Sequence, residues 1–150
     1  MSELRELYQE MILDHGRHPR NCCVIPHANR QAQGFNQLCG DQLTLYLETG
    51  DNRIKNIGFT GSGCAISMAS ASLMSETLKG KTEQEANLFF QFFHSLLTNA
   101  EAKTTTIVGF EKLAVFSGVR LYPARVKCAT LAWHTLQAAL NQRKEMISTE

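Results

Sequence analysis

The sequence predicts an α+β domain, a small antiparallel β-sheet covered on one face by helices. Leu43, Leu45 and Leu47 alternate with Thr44, Tyr46 and Glu48, the period-two pattern of a half-buried strand. Apolar residues recur at helical spacing near the start of the chain and through its second half. Strands come first and helices later without regular alternation, which argues against a parallel βαβ sheet.

Each element follows from local chemistry. Ser2 is a candidate cap for a helix whose apolar stripe is Leu4, Leu7, Tyr8, Met11 and Ile12, with Gly16 and Pro19 as its stop. From Arg20 to Leu38 the chain is polar and irregular and reads as a long loop. After the leucine strand, Gly50-Asp51-Asn52 supplies turn chemistry. A hairpin partner follows, carrying Ile54, Ile57 and Phe59. Its apolar spacing slips by one, so a bulge is expected at Lys55 or Asn56. The small-residue run Cys64 to Leu78 reads as a helix ending at Lys79-Gly80. Thr82 to Glu85 matches a capping box for a helix with Leu88, Phe89, Phe92, Phe93, Leu96 and Leu97 on its apolar face. Thr104-Thr105-Thr106 marks a break, Phe110 to Phe116 a short helix, and Pro123 the first turn of a last helix whose Leu131, Leu136 and Leu140 face the core.

The 150 residues suit one domain, 1–150, with a single core. A formal charge of +1 is too balanced for a phosphate-binding face, so nucleic acid is not expected as a partner. The charged start carries no secretory pattern, and no segment has the apolar length to span a membrane. A cytoplasmic, reducing location is the expectation. There, five cysteines point to metal or nucleophilic chemistry rather than to crosslinks.

Cys39-Gly40-Asp41 sets a thiol and a carboxylate two residues apart, on one side of an extended segment, with Gly40 allowing convergence. Cys64 follows two glycines at a helix start, where free N–H groups favour a thiolate. Cys128 falls in the second turn of the last helix near Arg125 and Lys127, cations placed to favour its ionised form. Three thiolates and a carboxylate make a tetrahedral set acceptable to zinc. Spacing alone leaves a second reading open, that these are buried cysteines of the core.

The segments Leu7-Tyr8, Ile12-Leu13-Asp14-His15, Pro19-Arg20-Asn21, Cys39-Gly40-Asp41, Gly61 to Ser67 and Lys127 to Trp133 resemble the NifU-N/IscU/SufU family from end to end. Within it the chain resembles the SufU branch. Lys127 stands where IscU proteins have a histidine, the stretch from Cys64 to Cys128 is longer, and Leu121-Tyr122-Pro123-Ala124-Arg125 replaces the Leu-Pro-Pro-Val-Lys motif read by a chaperone. Gln37 departs from the family's usual proline. The resemblance implies the SufE/NifU-like, IscU-type fold, with Cys39, Asp41, Cys64 and Cys128 as zinc ligands. It also implies a SufS-type cysteine desulfurase as sulfur donor, Cys39 as persulfide acceptor and a downstream iron–sulfur assembly scaffold as receiver, while Arg125 and Lys127, from their place beside Cys128, are expected to give electrostatic support. The expected function is a zinc-dependent sulfurtransferase. The alternatives are a scaffold for a transient iron–sulfur cluster on the same ligands and a module in which zinc only stabilises the fold.

Other residues are read as structural. Cys22 and Cys23 are expected to be plain loop residues, because adjacent cysteines close a strained disulfide. His15 and His18 are expected to cap a helix end at the surface. His94 and His134 have no second ligand at the next helical turn.

Overall fold

The computed structural model describes residues 2–98, 110–142 and 147–148, with side chains from Glu6 onward except that of Ile147. The side chains of Ser2 and Leu4, and with them the expected cap, are not among those described, and the Thr104 to Thr106 break lies outside the described residues. The elements run α1 (Ser2–Arg17), β1 (Arg30–Asn36), β2 (Asp41–Gly50), β3 (Arg53–Ser62), α2 (Ala65–Leu78), α3 (Glu83–Thr98), a 3₁₀ segment (Phe110–Leu121), α4 (Pro123–Leu140) and β4 (Ile147–Ser148). The sheet order is β3-β2-β1-β4, antiparallel except for the short parallel pairing of β4 with β1. Helices α2 and α4 pack on the sheet, α1 packs on α2, and α3 with the 3₁₀ segment packs around α4. This is the expected α+β architecture.

The leucine strand folds as predicted, with Leu43, Leu45 and Leu47 buried. Asp51 and Asn52 both adopt positive φ (54° and 60°) between paired Gly50 and Arg53, a two-residue turn whose twist suits a hairpin. The bulge falls at Lys55: Glu48 pairs with Asn56 and Thr49 with Ile54, leaving Lys55 unpaired. That extra residue is what returns Ile54, Ile57 and Phe59 to the same buried face.

Four expectations need correction. The segment 20–38 is not all loop, because Arg30–Asn36 forms β1, in register against β2 from Arg30 opposite Leu47 to Asn36 opposite Asp41. Its inward residues are Ala32, Gly34 and Asn36, too small or polar to announce a strand by hydropathy. Gly16 does not stop α1 but lies inside it. A Cβ there would come within 2.9 Å of the Ala65 carbonyl oxygen, so the glycine permits the close crossing of α1 and α2. Leu7 and Leu88, assigned to apolar stripes, are exposed at the helix edges. The helix expected over 110–116 is a 3₁₀ segment reaching Leu121; its buried Phe110, Leu113, Phe116 and Val119 recur every third residue, the spacing that eclipses side chains in that geometry.

The capping box is formed as expected. The Thr82 N–H donates to Glu85 Oε1 (2.9 Å) and the Glu85 N–H to Thr82 Oγ1 (3.0 Å). On α3, Phe93 stacks on Trp133 of α4 with ring centroids 4.7 Å apart. Leu131, Leu136 and most of α4 are buried, which makes α4 the central helix of the core.

Candidate metal centre

One end of the sheet assembles the candidate site. The buried face of β2 runs Leu47, Leu45, Leu43 and then Asp41, so strand alternation delivers a carboxylate to the end of the apolar core. Opposite it, the inward face of β1 ends in Asn36. Residues 37–40 form the turn between these strands, with the Gly40 N–H donating to the Asn36 carbonyl (2.9 Å) and Gly40 at φ +74°, a conformation that favours glycine. Cys39 is exposed on this turn. It therefore sits on a tight hairpin connection, not at the end of the long flexible loop expected for it.

Cys64 arrives from β3, whose Ser62 pairs with Gln42, and it forms the N-cap of α2 by accepting the Ser67 N–H (3.4 Å). Cys128 arrives on α4, one turn past the Pro123 start. It is buried, 1% exposed. Pro123 at the first position suits a helix start because its missing N–H would have no intrahelical partner there.

These placements bring Cys39, Asp41 and Cys128 together, with their ligand atoms all within 4.8 Å of one another. Cys39 and Cys128 Sγ are 3.0 Å apart. Cys64 borders this group: its N–H donates to Asp41 Oδ1 (2.8 Å) and its Sγ lies 3.9 Å from Asp41 Oδ2. A tetrahedral zinc site with Zn–S bonds of about 2.3 Å has ligand-to-ligand edges of about 3.8 Å, so the donor set suits such a centre, while the Cys39 and Cys128 sulfurs at 3.0 Å would have to part to admit the ion. Gly63 completes the cradle, since a Cβ there would lie 2.5 Å from Asp41 Oδ1.

The electrostatics of Cys128 differ from expectation. Burial pushes its thiol far above the ordinary range, with the neighbouring Cys39, Cys64 and Asp41 adding to the shift. Arg125 is exposed and Lys127 half-buried, and neither cation is among the groups acting on that thiol. A buried thiol of this kind would ionise only together with capture of a positively charged centre, releasing its proton.

Sequence reasoning missed Asn36. Its amide nitrogen donates to Asp41 Oδ2 (3.3 Å) and to Cys128 Sγ (3.4 Å), and the residue is fully buried. Its Oδ1 is buried without a hydrogen-bond partner among the described residues. Such an orphaned carbonyl costs about 1–3 kcal/mol. The alternation of Ala32, Gly34 and Asn36, read as a polar strand leading into Cys39, was the available signal.

The residues set aside stay apart from this cluster. Cys22 and Cys23 are exposed in the connection after α1. His18 is exposed, but His15 is 5% exposed and its Nδ1 lies 2.7 Å from Ser72 Oγ, so it is a core residue and not a surface cap. The reason is its place on α1, which continues the inward stripe Tyr8, Met11 and Ile12 by one turn. His94 and His134 meet edge-on, with ring centroids 5.8 Å apart, beside Phe90. Among the described residues, the Cys39, Asp41 and Cys128 group alone combines three potential ligands.

The model for the NifU-like N terminal domain matches residues 7–149. The chain belongs to this family. It is 38% identical over 141 residues to the iron–sulfur cluster assembly scaffold protein IscU of Thermotoga maritima, covering 91% of this chain and 94% of that one. It is 34% identical over 136 residues to the zinc-dependent sulfurtransferase SufU of Bacillus subtilis, covering 91% and 90%. The crystal structure of a candidate iron–sulfur cluster assembly scaffold protein for the SUF system from Fervidobacterium islandicum superposes with a TM-score of 0.81 at 35% identity, covering 90% of this chain and 97% of that one. Relatives named for both branches match at similar identity. The comparisons therefore establish the family and its role in iron–sulfur assembly and sulfur handling, while the narrower SufU assignment is not distinguished. No described helix is long and apolar enough to cross a membrane.

Proposed function

We propose that Cys39, Asp41, Cys64 and Cys128 form an iron–sulfur assembly site that takes up iron and sulfur as cargo, holds the nascent cluster and passes it on. The observation that carries this reading is the uneven burial of the donors. Cys128 is 1% exposed whereas Cys39 is exposed. The site thus grips from inside the fold and opens to a partner at the Cys39 turn. Thiolates hold iron–sulfur clusters, and one harder carboxylate among them is the ligand most readily given up. In a purely structural zinc module all four ligands stay bound and none has to reach a partner. The relatives named as scaffolds support the same reading.

The second reading is a zinc-dependent sulfurtransferase, favoured by Lys127 beside Cys128 and by the similar protein that carries that name. Zinc held by these four residues would keep the thiols ionised at neutral pH. In this reading a SufS-type cysteine desulfurase presents a cysteine persulfide. The Cys39 thiolate attacks the terminal sulfur, a new S–S bond forms on Cys39, the donor S–S bond breaks, and the donor cysteine leaves as a thiolate. Arg125 and Lys127 on the first turns of α4 would offset the charge of a loaded site from its solvent side, not by acting on the buried Cys128 thiol.

Metal and sulfide analysis of protein purified without oxygen, followed by reconstitution with ferrous iron and sulfide, separates the readings. The scaffold reading predicts a coloured protein with iron and sulfide in equal amounts, abolished by Cys64→Ser or Cys128→Ser. Colourless protein with about one zinc per chain, and added mass on Cys39 after incubation with desulfurase and cysteine, moves the carrier reading to first place. Wild-type loading that survives both substitutions contradicts the site itself.

A further inference from the structure

Asn36 stands where a hydrophobic residue would cost the fold less. It is fully buried at the inner end of β1, its Oδ1 has no hydrogen-bond partner among the described residues, and the inward residues before it on its own strand are the small Ala32 and Gly34. What the residue does provide is a planar amide whose nitrogen carries two N–H donors and lies within hydrogen-bond distance of two candidate ligands. Nδ2 is 3.3 Å from Asp41 Oδ2 and 3.4 Å from Cys128 Sγ. The opposite flip would set a carbonyl oxygen against a carboxylate and a sulfur, so the donors are the half that faces the site.

We infer that Asn36 is a positioning residue of the metal or cluster site, clamping Asp41 and Cys128 in their mutual geometry and stabilising the negative charge they carry when loaded. The inference rests on the ligand reading above and adds to it a residue that touches no cargo. Asp41 is then held from two directions. Its Oδ1 accepts the Cys64 N–H at 2.8 Å and its Oδ2 accepts the Asn36 amide. The Asn36 bond depends on the β1–β2 register, which pairs Asn36 with Asp41, and the Cys64 bond on the β2–β3 register, which pairs Gln42 with Ser62. Cys128 receives in Asn36 a donor that compensates thiolate charge inside a buried site. Partners of this kind hold metal ligands in place, and their loss weakens metal retention by about 10–100-fold.

The test uses the full chain, stripped of metal and titrated with Co²⁺ and Zn²⁺ under competition with a chromophoric chelator. Asn36→Leu is close in size and removes both the donors and the orphaned carbonyl. Its metal-free form is expected to melt at or above the wild-type temperature while Co²⁺ and Zn²⁺ are held at least ten-fold more weakly, with a shifted thiolate-to-cobalt absorption band. Asn36→Ser, which keeps a single donor, guards against a folding failure and is expected to fall between the two. In combination with Asp41→Ala the loss should be less than additive, because the amide then has one of its two charges removed. Wild-type affinity and an unchanged cobalt spectrum in both single variants would overturn the positioning role, as would a loss that merely tracks a lower metal-free melting temperature. Failure of the wild-type chain to give any thiolate-to-cobalt band would instead overturn the ligand reading on which this one rests.

Discussion

At the scale of single residues, two kinds of buried polar group have opposite meanings. Asn36 and Asp41 are buried where the apolar faces of β1 and β2 run out, and their hydrogen bonds point into the candidate site. His15 is buried between α1 and α2 and serves packing: its Nδ1 meets Ser72 Oγ, which also accepts the Arg20 N–H at 2.8 Å. Burial holds His15 below its ordinary value of 6.5, and burial followed by the neighbouring His94 does the same for His134. A histidine whose folded value is depressed takes up its proton more readily when unfolded. The stability it supports is complete above about pH 6.5 and is lost as pH falls from there toward the folded value. Metal-free protein is therefore expected to melt at progressively lower temperature between pH 7 and pH 5. The double variant His15→Gln/His134→Gln should flatten that slope in a melting series, and an unchanged slope would assign the acid sensitivity elsewhere.

At the scale of elements, what was legible depended on whether the pattern carried enough apolar contrast. The β2 leucines, the Thr82–Glu85 box and Pro123 each state their element in side-chain chemistry that needs no tertiary context, and each formed where expected. The bulge was readable because a slipped apolar period has one cheap remedy, an extra residue at Lys55. Strand β1 was hidden because its inward positions are Ala32, Gly34 and Asn36, which become a strand only by pairing with β2. Gly16 was misread for a related reason: a glycine that ends a helix and one that admits a neighbouring backbone look alike in sequence. The structure makes its role testable. Gly16→Ala should press a methyl against the Ala65 carbonyl and destabilise the fold by about 1–3 kcal/mol. Because Ala65 directly follows Cys64, metal retention should weaken as well. A calorimetric melt with no change in temperature and unchanged zinc affinity would mean the α1–α2 contact relaxes freely.

At the scale of the whole molecule, the fold reads as a device that brings three separated sequence regions to one end of a sheet. The β1–β2 turn carries Cys39 and Asp41, the β3-to-α2 junction carries Cys64, and the first turns of α4 carry Cys128. Each lies where a strand or helix begins or ends, so the core holds Asp41 and Cys128 while Cys39 faces outward. The cysteines and Asp41 could be selected from the sequence, since thiols in this pattern invite a metal reading and the family resemblance is specific. The cation support assigned to Arg125 and Lys127 could not be judged there, because whether a neighbour in sequence faces a buried thiol depends on helix rotation. Loading should stabilise the whole fold, because binding energy at a site built from four elements is also folding energy. Chelator treatment of loaded protein is expected to lower its melting temperature, and an unchanged melt would detach the site from the fold's stability.

The central claim, that these four residues act as one ligand set, is met most directly by X-ray absorption at the zinc edge of the singly loaded protein. Three sulfur scatterers at about 2.3 Å and one oxygen at about 2.0–2.2 Å are predicted. A shell of nitrogen and oxygen alone, or one with fewer than three sulfurs, would contradict it.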